Sequence, residues 1–376
     1  MAALKIGICV TAGDADLETL LWSNSVGQRI VFLIMLFKRL ECVGQVVLVS
    51  CPAGESHPLA QLAGVQVATQ AEALADLDII IEISTRSFDP HDIYAFRARG
   101  GKLVSYIAGN VLASCFEEFG SNTPNGDIPF LPKYDAAWVE NQHWAMCHAY
   151  AKLVTAPLAE PVPHIWTPHF VDLQLARTGA NAFFRPPGER AWCVGVFDPN
   201  VNVTRTFQLP LLVAEEAARL RPDLISGVRL FNAFRLRDNR HLLEMFDCMD
   251  LGRDKKVTVE TRHPVVDVMG QHIDAVISHQ WNDPLHYHYW EVLYLGWPLV
   301  HNSTVIQDLG YYFPEFDPQA GGRILAESLE GHAGRRDQDR EKLRDWLWRI
   351  DIDNPVNLKT YTDRMERVMS AATLSQ

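Results

Sequence analysis

Short apolar runs alternate with longer amphipathic ones along most of the chain, and this alternation predicts α/β layers. In the first half the runs KIGICV, QVVLVS, DIIIEIS and KLVSYIA are β-rich and bounded by turn residues, the pattern of strands buried on both faces of a parallel sheet. GVQVAT and AAWVEN could add two more strands. After the first of these runs, SVGQRIVFLIMLFKRL predicts a helix whose unbroken apolar centre, IVFLIMLF, calls for burial on more than one side.

The pattern breaks in LARTGANAFFRPPGERA, residues 175–191, where Gly, Pro and Arg occur without a sustained period, as in a connecting segment. Beyond it AWCVGVF, SGVRLFN, KVTVE, DAVISH and PLVHNS repeat the strand signature, separated by helical stretches such as LPLLVAEEAARL and RHLLEMFDCM. RRDQDREKLRDWLWRI and LKTYTDRMERVMSAA then read as closing helices with a solvated charged face. The expected fold is therefore α/β: two Rossmann-like α/β/α domains, at 1–175 and 190–350, facing a cleft, with a closing C-terminal helix in 351–376.

A length of 376 residues agrees with this division, because single hydrophobic cores stop growing at roughly 250–300 residues. Apolar residues at 48% and charged residues at 21% describe an ordinary folded chain. The net charge of −12 argues against nucleic acid as the main partner, since a polyanion needs a basic surface. Seven scattered cysteines without a C-x-x-C pair read as reduced thiols. MAALKIGICV lacks a signal-peptide cleavage pattern and reads as the first strand. The longest later apolar stretch, IVFLIMLF, is far below the ~20 residues that span a bilayer. These features place the chain in the cytoplasm and leave peripheral membrane contact open.

In open parallel sheets ligands bind beyond the carboxyl ends of strands, so the polar residues that follow each predicted strand are the candidates. After KIGICV, Asn24 could cap the next helix, Gly27 allows close approach of a ligand or a neighbouring backbone, and Gln28 stands beside it. No G-x-G-x-x-G follows this strand, which argues against a nicotinamide or flavin cofactor. After AWCVGVF, Asn200, Asn202, Thr204 and Arg205 offer amides, a hydroxyl and a guanidinium to a phosphate; the competing reading is an Asx-type turn with a surface arginine. After KVTVE, Arg262 and His263 could contact a base, ribose or phosphate, or be ordinary hydrogen-bonded residues.

The densest stretch is HQWNDPLHYHYWEVLYLGWPLVHNS, residues 279–303. It predicts a strand ending at His279, then a helix capped by Asn282 or Asp283 with Pro284 in its first turn and an end near Tyr294. Gly296 then takes the C-terminal cap, and a strand PLVHN ends at Asn302 and Ser303. On such a helix His286 and His288 would point about 200° apart and could not share an ion, so no metal site is expected. Asp283 and Glu291 would lie roughly 12 Å apart along the axis, suited to a long ligand and not to a shared proton. Aromatic faces that could stack on a base or sugar are Trp281, Tyr287, Trp166 and Trp144, each of which could equally be core.

The spacing of Asp283, Glu291, Gly296 and Pro298, D-x7-E followed by G and P, resembles the donor-site signature of GT-B glycosyltransferases. GYYFPEFDPQAGGRILAESL resembles the downstream glycine, Asp-Pro and closing helix of that superfamily. The match covers roughly the last hundred residues well and the first half by α/β pattern alone. Over its whole length the chain is also similar to a bacterial family labelled domain of unknown function 2827.

The resemblance implies a GT-B fold and transfer of a sugar from a nucleoside diphosphate sugar to an acceptor (glycan, protein or small molecule), without cofactor or metal. It implies that Glu291 holds the ribose, that Asp283 lies near the transferred sugar and that Arg205 assists the leaving phosphate. The helix between the two acids would point its N-terminus at the pyrophosphate. Asn200, Asn202, Thr204, Arg262, His263, His279, Asn302 and Ser303 fall on the donor side, and Asn24, Gly27 and Gln28 on the acceptor side. Asp283 stands where glutamate is more usual, and capping the helix is its alternative role. An inverting enzyme would need a general base from the first domain, with Asp14, Asp16, Glu18 and Glu82 as candidates, whereas the D-x7-E pattern leans toward retention. A nucleotide-sugar epimerase of the same architecture and a non-catalytic nucleotide-sugar-binding protein are the alternatives.

Overall fold

A computed structural model of the chain describes residues 3–11, 17–22, 25–51, 56–83, 87–121 and 134–371. The chain folds into two compact units, residues 1–167 together with 348–376, and residues 168–347. The division thus falls at 167/168, ahead of the helix His169–Thr178, and not inside the Gly/Pro-rich segment 175–191.

The first unit is built on a parallel sheet of β1 (Leu4–Thr11), β2 (Val43–Cys51), β3 (Gln66–Ala68), β4 (Ile79–Ile83), β5 (Lys102–Ile107), β6 (Ala136–Glu140) and β7 (Leu158–Val162), in the order β3-β2-β1-β4-β5-β6-β7. Every residue of β4 and β6 is buried, as expected of strands covered on both faces. β7 escapes the sequence pattern because Pro161 interrupts it; a strand at the sheet edge tolerates the missing N–H. The helix Ser25–Phe37 is buried from Gly27 to Ile34, which accounts for its apolar run.

Residues 348–371 return to this sheet as the helix Pro355–Ser370. Tyr361 of that helix is fully buried, meets Phe37 edge-on at 5.6 Å and donates its hydroxyl to the Pro163 carbonyl at 3.1 Å. Beside it lies a buried polar network. Glu140 accepts from Arg29 Nε at 2.7 Å, from Tyr106 at 3.2 Å and from Gln142 at 2.6 Å, with His164 Nδ1 3.0 Å away. Burial alone would raise the Glu140 carboxyl, but the Arg29 guanidinium and His164 hold it well below the usual range.

The second unit carries β8 (Trp192–Val196), β9 (Ile225–Leu230), β10 (Val257–Val259), β11 (Ala275–Ser278), β12 (Leu299–His301) and β13 (Tyr311–Tyr312), all parallel in the order β10-β9-β8-β11-β12-β13. This is the doubly wound order, with the chain reversing direction across the sheet between β8 and β11. The crevice outside the carboxyl ends of those two strands is where a ligand belongs. β13, two residues long, is too short for any periodicity to announce it. Among the described residues no helix is long and apolar enough to cross a membrane.

Candidate functional site

The turns that leave β8, β9 and β11 each contain an asparagine with positive φ, Asn200 (56°), Asn232 (60°) and Asn282 (52°). Asparagine tolerates this left-handed conformation better than bulkier residues, so the chain can turn sharply and keep polar groups at the strand ends. Asn200 Nδ2 donates to the Asp198 carbonyl at 2.9 Å and its Oδ1 accepts from Phe207 N at 2.8 Å. Asn202 Oδ1 accepts from the amide of Thr204 at 3.2 Å and from its hydroxyl. The three polar residues Asn200, Asn202 and Thr204 therefore shape the turn, as in the Asx-type reading, and the residue they deliver to the strand ends is Arg205.

Arg205 Nη1 donates to His286 Nδ1 at 2.8 Å, and its Nε lies 2.9 Å from Asp283 Oδ2. The Nε–H is not aimed at that carboxylate and makes no hydrogen bond, so the second contact is an ion pair without a directional component. Arg262, just past β10, is accessible as a residue, yet its guanidinium is lowered to about 10 by crowding and next by the Arg205 charge, with Glu291 opposing the shift. Two arginines from separate strand ends thus repel one another near two acids. Glu291 is buried on the helix Tyr287–Tyr294, and Asp283 is buried in the turn before it.

That helix begins at Tyr287, with His286 at its N-cap, and not near Pro284. The geometry expected of a helix from 284 is therefore corrected: Asp283 does not cap it, and the separation computed along one helix axis does not apply. The His286 and His288 rings, expected to diverge, stack at 5.4 Å and 11°, because His286 still has extended backbone. His288 is pushed down to about 3 by burial and by the Arg205 and Arg262 charges, so it is neutral, and its Nε2 lies 3.1 Å from Ser278 Oγ. Ser278 donates to Asp198 Oδ1 at 2.7 Å, and His279 N donates to Asp198 Oδ2 at 3.0 Å. With Asp198 ionised, the single hydroxyl proton of Ser278 goes to it and His288 Nε2–H donates to Ser278; with Asp198 protonated, the carboxyl donates to Ser278 and the hydroxyl donates to His288 Nε2.

Asp198 has no solvent exposure, and burial raises its carboxyl to about 7 against the pull of Ser278, the His279 amide and Arg205. It was absent from the sequence reading, although an acid directly after the strand run WCVGVF was the available signal. Asp198, Ser278, His286 and His288 join Arg205 and Asp283 in one continuous cluster.

The other predicted residues are placed as follows. His279 Nδ1 accepts from Thr206 N at 3.3 Å, tying the end of β11 to the turn after β8, and burial lowers it to about 4. Asn302 brackets the Gln280 backbone with its amide and also donates to the Glu315 carbonyl at 2.7 Å, while Ser303 donates to the Pro284 carbonyl at 2.7 Å. Both brace the loops around the site. His263 is exposed, with Nε2 3.1 Å from Thr261 Oγ1. Trp281 is 38% exposed, whereas Tyr287 is buried at the helix start.

In the first unit, the close approach at Gly27 is to a neighbouring backbone: a Cβ there would sit 2.0 Å from the Leu20 carbonyl oxygen. Gln28 is buried and donates to the Leu21 carbonyl at 3.1 Å. Glu18 is exposed, and Glu82 is buried and accepts from Tyr134 and the Ser87 amide, both at 2.6 Å. Trp166 is core and Trp144 is half-buried against His148. Asn24, Asp14 and Asp16 lie outside the described residues. Among the described residues no group of three or more His, Cys, Asp or Glu is placed to hold a metal.

A separate pocket of about 690 Å³ lies at the other end of the second sheet, where Trp297 precedes β12 and Gly310 precedes β13, against Arg336, Leu343 and Leu347. It shares no residue with the cluster around Arg205 apart from its neighbours on the helix Tyr287–Tyr294.

A search of curated protein sequences found no match. Among solved structures, Anabaena HepE in complex with UDP-glucose is similar at a TM-score of 0.59 and 13% identity, covering 96% of this chain and 100% of that one. The α,α-trehalose 6-phosphate synthase of Burkholderia multivorans is similar at a TM-score of 0.59 and 12% identity, over 99% and 100% of the two chains. Sucrose-phosphate synthase of Thermosynechococcus elongatus gives 0.58 and 11%, over 98% and 100%. Likeness at such identities is one of fold, and the fold is GT-B. The family profile described as protein of unknown function DUF2827 matches residues 6–365, nearly the whole chain, and the protein belongs to that family.

Proposed function

We propose that the chain is a glycosyltransferase that moves a sugar from a nucleoside diphosphate sugar to an acceptor, without a metal in the chemical step and with retention favoured over inversion. The observation that carries this reading is the ion pair of Arg205, after β8, with Asp283, after β11, with Arg262 and Glu291 within electrostatic reach. Two cations that repel one another in a partly desolvated site are relieved by an anion with several oxygens, which a diphosphate supplies. The same charges stabilise the leaving diphosphate as the glycosidic bond to it breaks. The amide groups at the start of the helix Tyr287–Tyr294 add a partial positive charge, with no acidic residue in the first turn to cancel it. Glu291 serves as ribose ligand and Asp283 lies by the transferred sugar. Binding of UDP-glucose by the similarly folded HepE supports a nucleotide-sugar donor.

A thermal-shift series with UDP, GDP, ADP, CMP and dTDP tests the reading. At least one diphosphate should raise the unfolding temperature, by about 2.7 kcal/mol of added stability at a hundredfold excess over Kd. Arg262→Ala and Glu291→Ala should each remove most of that shift. No response to any of the five nucleotides would overturn the donor assignment. Labelled sugar nucleotides then distinguish transfer to an added acceptor from epimerisation, which leaves the label on nucleotide.

A further inference from the structure

We propose that Arg205 is mounted on two partners of unequal hold: His286, which positions the guanidinium throughout, and Asp283, which the diphosphate of the donor displaces. The inference rests on the donor reading above and concerns how that same site accepts its ligand.

The His286 mount is directional and anchored in depth. Nη1 donates to Nδ1 at 2.8 Å, so His286 is unprotonated at that atom. Its ring lies flat against that of His288, which is fixed through Ser278 to the fully buried Asp198. A side chain held in that stack has little freedom to follow Arg205 elsewhere, so it sets where the guanidinium stays.

The Asp283 contact differs in kind. Its oxygen lies 2.9 Å from Nε, but the buried Nε–H is left without a hydrogen bond, which is costly for a charged donor. Arg262 meanwhile feels the repulsion of the Arg205 charge, which Glu291 opposes. A diphosphate can accept from Nε–H with one oxygen and approach Arg262 with another, so it satisfies two groups where the carboxylate neutralises one. The exchange releases Asp283 from Arg205, leaves it beside the transferred group, and costs the ligand whatever the ion pair was worth.

Isothermal titration of the full chain with inorganic pyrophosphate and with UDP tests this. Asp283→Asn should bind pyrophosphate on the order of tenfold more tightly than the wild type, because the competing carboxylate is gone. His286→Leu should bind it about tenfold more weakly, and His286→Asn should recover most of the loss, since Asn Oδ1 can take the place of Nδ1. If Asp283→Asn binds no more tightly, or if His286→Asn is as weak as His286→Leu, the two-mount account is wrong. Should Asp283→Asn fail to fold, Asp283→Ser removes the same charge and decides the point. Wild-type binding that Arg205→Ala weakens, without tightening in Asp283→Asn, overturns this inference alone. Failure of the wild type to bind pyrophosphate or any nucleoside diphosphate overturns the donor reading and this inference with it.

Discussion

Asp198 keeps its proton to about pH 7 in the folded chain, whereas an exposed aspartate releases it near 3.8. Between those two values unfolding releases a proton, so raising the pH favours the unfolded state over that window. Stability contributed by this residue therefore falls from pH 4 to pH 7, by an amount of order 2–4 kcal/mol, and is flat above it. Asp198→Asn should remove the slope, because the amide reproduces the protonated acid: Oδ1 accepts from His279 N and Nδ2 donates to Ser278. Urea unfolding of both proteins between pH 4 and 8 checks it, and equal slopes would refute it. Glu140 acts in the opposite sense: its depressed carboxyl adds stability that is lost as the pH falls below the ordinary glutamate range, so its window lies mostly below that of Asp198. At this scale Arg205 and Arg262 were readable as polar residues following predicted strands and Glu291 through its spacing from Asp283, but the His286 and His288 pairing was not. Their contact depends on one residue being outside the helix and one inside, a distinction that a periodicity argument does not resolve.

Elements were easier to read than their ends. Continuous apolar runs such as DIIIEIS are fully buried strands because both sheet faces are covered, and the helix from Ser25 has no solvated stripe to make its pattern amphipathic. The edges were harder: β7 is broken by Pro161, and β13 has two residues. The start of the helix after β11 was misread because Asn282, Asp283 and Pro284 form a plausible cap in sequence, while Asn282 at φ 52° turns the chain before the helix can begin. Gly27 shows what a helix junction can demand. Replacing it by alanine should gain at most about 1 kcal/mol of helix propensity and lose about 3 kcal/mol or more, because a Cβ 2.0 Å from the Leu20 carbonyl oxygen forces two backbones apart. Gly27→Ala should thus lower the midpoint of chemical denaturation, and an unchanged midpoint would show that the helix Leu17–Trp22 yields easily.

For the molecule as a whole, the division into two α/β units followed from strand count and length, but the allegiance of the last helix did not. Hydropathy marks Pro355–Ser370 as amphipathic and is silent on which sheet it covers. Tyr361 against Phe37 and Pro163, and Lys102 Nζ on the Ala371 carbonyl at 2.8 Å, assign it to the first unit. Truncation after residue 350 should therefore destabilise the first unit selectively: protease should cleave residues 1–167 at concentrations that spare 168–347. Equal resistance of both units in the truncated chain would contradict this.

The discontinuity of the first unit also orders its assembly in time. Residues 168–347 contain every strand of their own sheet, so that sheet can close as soon as its last strand is made. The earlier sheet cannot be sealed until the chain has been synthesised through Tyr361, after the later one is complete. During synthesis the N-terminal half waits with an uncovered apolar face, and at that stage it is the half that has most need of a chaperone.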